Sequence, residues 1–200
     1  MRASLIAIFS SAVLLAGCGS NRDATVDIVA IGAPNSVFEP GGRLSPAAQL
    51  LRGATAQGLV TLDERGQVVP GIADRWIVED DGLSYIFRLR DGRWPDGAKF
   101  TAESGRNALR QAIAGVQGTG LARDLAGIED IRVMTGRVIE LRLTRPQPDL
   151  LLLLAQPELG LQQRGLGGGP MRLKREKDIA NLTMREPETL GQPVDANWKD

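Results

Sequence analysis

Three Asp-Gly pairs crowd into a short stretch: Asp81-Gly82, Asp91-Gly92 and Asp96-Gly97. Both residue types tolerate positive φ, so each pair favours a tight reversal of the chain. Between the first two lies Leu83-Ser84-Tyr85-Ile86-Phe87-Arg88-Leu89-Arg90. Leu83, Tyr85, Phe87 and Leu89 share one side; Ser84, Arg88 and Arg90 share the other, with Ile86 the exception. A period of two is the pattern of a half-buried antiparallel strand. Trp76 and Ile77, just before the first turn, are expected to pair with it. The centre of the chain therefore reads as strands and turns with a few helices. The 24 glycines and 11 prolines agree with that many turns.

The same reading extends in both directions. Residues 25–31 form a buried strand by length and β-branching, broken at Ala33-Pro34-Asn35-Ser36. Residues 46–57 form a helix, with Ser45 as N-cap, Pro46 in the first position and Gly58 as its stop. Residues 59–62 and 67–69 make a hairpin around Asp63-Glu64-Arg65-Gly66. Thr101 caps a helix running to about residue 114, with Ala108, Leu109, Ala112 and Ile113 on its apolar face. Gly105 inside it costs roughly 1 kcal/mol relative to Ala. Residues 121–126 make a short helix. Residues 128–134 and 137–145 form a second hairpin, with Ile139, Leu141 and Leu143 facing inward and Pro146 and Pro148 ending it. Asp149 caps a helix of five leucines, Leu150 to Leu154. A membrane span needs about 20 apolar residues, so this run is core.

Composition removes several classes of function. The chain has 24 Lys and Arg against 24 Asp and Glu, with no basic cluster of the kind nucleic acid requires. It has no His and one Cys. That removes the commonest general base and metal ligand, and leaves no internal disulfide and no cysteine zinc site. No Gly-x-Ser-x-Gly elbow is present either. Catalytic residues, metal and cofactor are all read as none.

The amino terminus reads as a targeting segment. Arg2 precedes a short apolar stretch, residues 5–15, of the size of a signal-peptide core. Leu15-Ala16-Gly17-Cys18 follows and resembles the bacterial lipobox, whose cysteine becomes the lipidated first residue of the mature chain. Residues 1–17 are then a lipoprotein signal peptide, and residues 18–24 a small, polar, flexible tether. Two or more acyl chains on Cys18 would hold the protein stably on a membrane.

A long, ordered set of motifs runs through the middle: Val69-Pro70-Gly71-Ile72-Ala73-Asp74-Arg75-Trp76, then Asp81 to Gly92, then Trp94-Pro95-Asp96-Gly97 and Phe100-Thr101-Ala102-Glu103. It resembles the family 5 extracellular solute-binding proteins, the peptide- and nickel-binding components of ABC importers. The leucine run at 150–154 and Gly167-Gly168-Gly169-Pro170-Met171-Arg172-Leu173 extend the likeness, which covers roughly residues 25–190. Ser104, Gly105 and Met171 depart from the family pattern and are expected to loosen local packing. The resemblance implies an α+β fold: the N-terminal lobe of a type II periplasmic-binding protein, a mixed β-sheet with hairpins and flanking helices. It also implies a chain more than twice this long, so the second lobe is expected to be missing, with residues 191–200 a polar tail or its beginning.

The implied role is capture of a peptide or other small solute in the periplasm and its delivery to ABC permease subunits, from a membrane-held lipoprotein and without nucleic acid. The alternative is a truncated structural or interaction lipoprotein with no transport role. A reading frame that continues past Asp200 favours the first; a stop there favours the second. The ligand would sit between lobes. By family likeness, the loop at Pro34, Asn35, Ser36 and Val37 lines that cleft, and Thr119 in the Gly118-Thr119-Gly120 loop is a second candidate; the bland alternative is a pair of plain turns. Trp76, Trp94, Tyr85 and Phe87 read as core. Gly165 to Pro170 lacks the Gly-Lys-Ser/Thr ending of a phosphate loop. Arg172, Lys174, Arg175 and Lys177, interleaved with Glu176 and Asp178, read as a solvated face.

Overall fold

Asp81-Gly82 reverses the chain between two neighbouring strands of a four-stranded antiparallel sheet. The structure is a computed structural model that describes residues 28, 29, 31, 33, 35–39 and 41–185. The chain divides into two units, Met1–Ile31 and Gly32–Asp200. The leader, Cys18 and the tether lie outside the described residues, as do Pro34 and residues 186–200. So does most of the strand expected at 25–31; of it, Ile28, Val29 and Ile31 are described, and they are exposed and in no strand.

Within the second unit, β1 (Val60–Leu62) and β2 (Val68–Pro70) form the first hairpin. β3 (Ala73–Val78), β4 (Ser84–Leu89), β5 (Ile128–Val133) and β6 (Val138–Leu143) make the central sheet in the order β3-β4-β6-β5. Trp76 stands opposite Phe87 and Ile77 opposite Ile86, the pairing that the alternation predicts. On the core face Phe87 faces Ile139 and Tyr85 faces Leu141 across neighbouring strands. Such opposed apolar pairs are the unit of sheet stabilisation. Tyr85, Phe87, Leu89, Ile139, Leu141 and Leu143 are all buried. The Tyr85 hydroxyl donates to the Gln147 carbonyl at 2.9 Å, so its polar tip is not orphaned.

The three Asp-Gly pairs do not behave alike. Gly82 and Gly97 take φ of +68° and +85°, and Asp81 and Asp96 accept from the backbone two residues on. Gly92 keeps ordinary φ, and its carbonyl accepts from Phe100 N at 2.9 Å. It is a bridge across the 93–99 loop instead of a reversal. That loop seats Trp94 against Phe100, edge to face with centroids 4.8 Å apart. Trp76 is only half-buried, because β3 is an edge strand.

The helices pack on the sheet and on the segments that flank it. α1 (Pro46–Thr55) starts at Ser45, whose hydroxyl accepts from Ala48 N. It ends two residues before the expected boundary, and Gly58 is not its stop. Gly58 lies where a Cβ would stand 2.5 Å from the Leu154 carbonyl oxygen, so its glycine answers to packing. α2 (Ala102–Gly115) carries a capping box: Ser104 N donates to the Thr101 hydroxyl and Thr101 N to the Ser104 hydroxyl. The Ser104 hydroxyl also accepts from Trp94 Nε1 at 3.0 Å. Gly105 is buried, and a Cβ there would meet Leu89 Cδ1 at 2.5 Å. The expected loosening is not seen at 104 and 105: Gly105 lets α2 approach Leu89 on the sheet, and Ser104 bonds the first turn of α2 to Trp94 in the 93–99 loop.

α3 (Gly120–Asp124) is a single turn, continued by a 3-10 turn at Leu125–Gly127. α4 (Leu150–Leu154) follows Asp149, whose side chain makes no capping bond. Leu150 and Leu154 are buried while Leu152 is exposed, so the leucine run is core on one side only. β7 (Gln162–Gln163) and β8 (Leu166–Gly167) pair briefly, and β9 (Met171–Glu176) and β10 (Ile179–Met184) form a longer hairpin. Both of its strands are exposed along most of their length.

Candidate functional site

The turn at residues 35–38 is short and strongly determined. Asn35 sits at φ 66°, ψ 0°, a left-handed conformation that asparagine tolerates better than most residues. Ser36 N donates to the Ala33 carbonyl at 3.1 Å and Phe38 N to the Asn35 carbonyl at 2.9 Å. Ser36–Phe38 thereby closes a 3-10 turn. Asn35 is exposed; Ser36, Val37 and Phe38 are half-buried.

Two distant side chains fasten this turn. The Ser45 hydroxyl, besides capping α1, donates to the Ser36 carbonyl at 3.2 Å. From the other side, Arg175 on β9 donates through Nη2 to Asn35 Oδ1. Its guanidinium carbon lies 3.9 Å from the centroid of the Phe38 ring, a cation–π contact. Ser45 has a local sequence signal, the cap before Pro46. Arg175 has none, being 140 residues from Asn35.

Thr119 occupies the N-cap of α3. Its hydroxyl donates to the Val116 carbonyl at 2.7 Å and accepts from Ala122 N at 3.3 Å. Those bonds use its one proton and one lone pair locally. Arg43 donates to the Gly118 carbonyl at 3.0 Å. A Cβ on Gly42 would stand 2.5 Å from Val116 Cα. The segment just after the 35–38 turn is thus packed onto the loop that holds Thr119, and the structure ties the two candidate regions through residues 42–43.

The glycine-rich turn before β9 is a junction. Gly169 N donates to the Thr55 carbonyl at 2.9 Å and Gly168 N to the Leu161 carbonyl at 3.2 Å. Arg185 donates to the Gly167 carbonyl at 2.7 Å, and Arg90 to the Gly168 carbonyl at 3.3 Å. A phosphate cradle needs free backbone N–H groups. Here Gly168 and Gly169 have spent theirs, and the carbonyls of Gly167 and Gly168 face cations. Burial, and then the charge of Arg185, bring the Arg90 guanidinium down to about 10. Burial also lowers Arg185, with Arg172 adding to it.

The remaining basic residues behave mainly as a solvated face: Arg172, Lys174 and Lys177 are exposed, and Lys174 pairs with Glu176 at 2.7 Å. Arg175 departs from that reading through its contacts with the turn. Among the described residues no group of three or more His, Cys, Asp or Glu could hold a metal. A separate open groove of about 450 Å³ runs between α2 and β5, lined by Ile113, Leu125, Ile128 and Ile131, with the Arg110–Asp130 pair at its edge. None of the described candidate residues lines it.

An antiparallel sheet with flanking helices, extended by hairpins, is the architecture of a type II periplasmic-binding-protein lobe. A substrate-binding domain of an oligopeptide ABC transporter from Bacillus anthracis str. Ames superposes with a TM-score of 0.62 at 19% identity, covering 76% of this chain and 35% of that one. The family model for bacterial extracellular solute-binding proteins, family 5 Middle, matches residues 67–191. The chain belongs to that family. Among curated relatives, the probable deoxycholate-binding periplasmic protein YgiS of Escherichia coli K12 is 33% identical over 121 residues, which is 52% of this chain and 23% of YgiS. The glutathione-binding protein GsiB of Escherichia coli O1:K1 is 27% identical over 160 residues, 78% of this chain and 30% of GsiB. The chain spans less than a third of either relative.

Proposed function

We propose that this protein captures a small solute, of the peptide class, outside the cytoplasmic membrane and passes it to an ABC permease. The observation that carries the reading is the family 5 match over residues 67–191. The peptide class is supported by the likeness to the glutathione-binding protein GsiB, whose named ligand is a tripeptide. The 35–38 turn is the part of the site that this lobe offers. It is fixed by Ser45 and Arg175 before any ligand arrives, and Asn35 remains exposed at its tip. A turn ordered in advance spares the ligand the entropic cost of ordering it. Closure of a second lobe over the ligand is the hinge motion such proteins use. Binding is non-covalent and no bond of the solute is broken. A lipid on Cys18 holds the protein at the membrane.

The test is a fluorescence-anisotropy titration of the protein encoded by the complete reading frame against a dye-tagged pool of random tripeptides. Saturable binding in the micromolar range is expected, and Asn35→Ala together with Ser36→Ala is expected to weaken it. A flat titration refutes the peptide reading.

A further inference from the structure

The solvated basic run contains one residue that does something else. Arg172 and Lys174 fall on one side of β9, and Arg175 falls on the other, beside Met171 and Leu173. There its guanidinium makes three contacts at once. Nε donates to the Lys177 carbonyl at 2.9 Å, Nη2 donates to Asn35, and the plane covers Phe38. The first contact fixes the arginine to the tight turn of its own hairpin, where Lys177 holds φ 56°. The other two grip the 35–38 turn at both ends. One guanidinium therefore ties that turn to the β9–β10 hairpin.

The hairpin itself is lightly held. Both strands are exposed along most of their length, and a two-stranded ribbon in water is only marginally stable on its own. Ser45 bonds the Ser36 carbonyl and α1 packs beside the turn, but the hydrogen bond to the Asn35 side chain and the cover on the Phe38 ring come from Arg175.

We propose that Arg175 is a positioning residue for solute binding: it sets the conformation of the Asn35–Phe38 turn and makes that conformation follow the β9–β10 hairpin. The proposal rests on the reading of this turn as part of the ligand site. Arginine is required in it, because a lysine ammonium cannot bridge a carbonyl, an amide oxygen and a ring face with one planar group.

The test is amide hydrogen exchange by NMR on the protein encoded by the complete reading frame, followed by the tripeptide-pool titration on the same variants. Arg175→Ala is expected to speed exchange at Ser36 and Phe38 on the order of tenfold. Exchange in β4 and β6 is expected to stay unchanged. Arg175→Lys should recover only part of the protection. Asn35→Gly keeps the left-handed backbone and leaves the hairpin untouched, so it should speed the same amides even if Arg175→Ala disturbs the hairpin. Unchanged exchange at Ser36 and Phe38 in both Arg175→Ala and Asn35→Gly overturns the clamp. Faster exchange with undiminished affinity for the pool overturns its role in binding. Failure of the unaltered protein to bind the pool refutes the underlying peptide reading, and the exchange data alone then judge the clamp.

Discussion

Two helical glycines provide a matched pair of substitutions with opposite expected outcomes. Gly53 lies in α1 and Gly105 in α2, and each is inside its helix. Replacing either by alanine removes the same backbone penalty, about 1 kcal/mol in favour of the folded state. Their surroundings differ. A Cβ on Gly53 meets nothing within 4 Å, so Gly53→Ala should stabilise the protein by nearly that amount. A Cβ on Gly105 would stand 2.5 Å from Leu89 Cδ1, and Leu89 is fully buried under the sheet's core face. Leu89 can yield only by leaving its rotamer or by letting α2 lift, and overpacking of this kind costs about 1–3 kcal/mol. That cost meets or exceeds the propensity gain. Gly105→Ala should therefore be less stable than Gly53→Ala by about 1–3 kcal/mol. Urea denaturation followed by tryptophan fluorescence measures this as a difference in midpoint at constant slope. Equal stabilisation by the two substitutions would refute the claim that Gly105 lets α2 approach the sheet.

Other outcomes follow from the same geometry. Phe87→Ala empties the centre of the core between Trp76 and Ile139 and should cost about 3–5 kcal/mol in the same urea experiment. The Arg132 side chain holds the Asp130 carboxyl below the usual carboxylate range, helped by Ile131 N and by Arg110. A depressed carboxylate contributes stability that is fully present above its unfolded value of about 3.9 and is lost as pH falls through the folded one. Asp130→Asn should thus flatten the acid limb of the stability profile and leave the slope near neutrality unchanged, as read from thermal midpoints across pH. Cys18→Ser should abolish partitioning into the membrane fraction; unchanged membrane association would refute lipid anchoring.

The central sheet was legible because its signal is local. Alternation at 83–90 and 137–145, bounded by Asp-Gly and Pro, dictates strand, face and neighbour together. The caps at Ser45 and Thr101 were legible for the same reason. What escaped the sequence depends on where separate elements meet. Gly105 looked like a weakness in a helix, because Leu89 beneath it lies on another element. Asp91-Gly92 looked like a third reversal, yet its geometry answers to Phe100 across the loop. Gly58 looked like a helix stop, and its constraint comes from Leu154. At the candidate site, the loop after residue 33 was nameable from family likeness, and Arg175 was not. A cation far along the chain in a charged run carries no local mark of the ring and amide it will meet.

The central claim, that this is a binder of small solutes without chemistry of its own, is tested most directly by calorimetry on the protein encoded by the complete reading frame. A panel of oligopeptides and glutathione would be titrated in, and the recovered ligand then checked for chemical change. The account predicts saturable heat for at least one of them, fitting a micromolar Kd (a binding free energy of about −8 kcal/mol), with the ligand recovered intact. No binding across the panel, or a ligand returned cleaved, would contradict it.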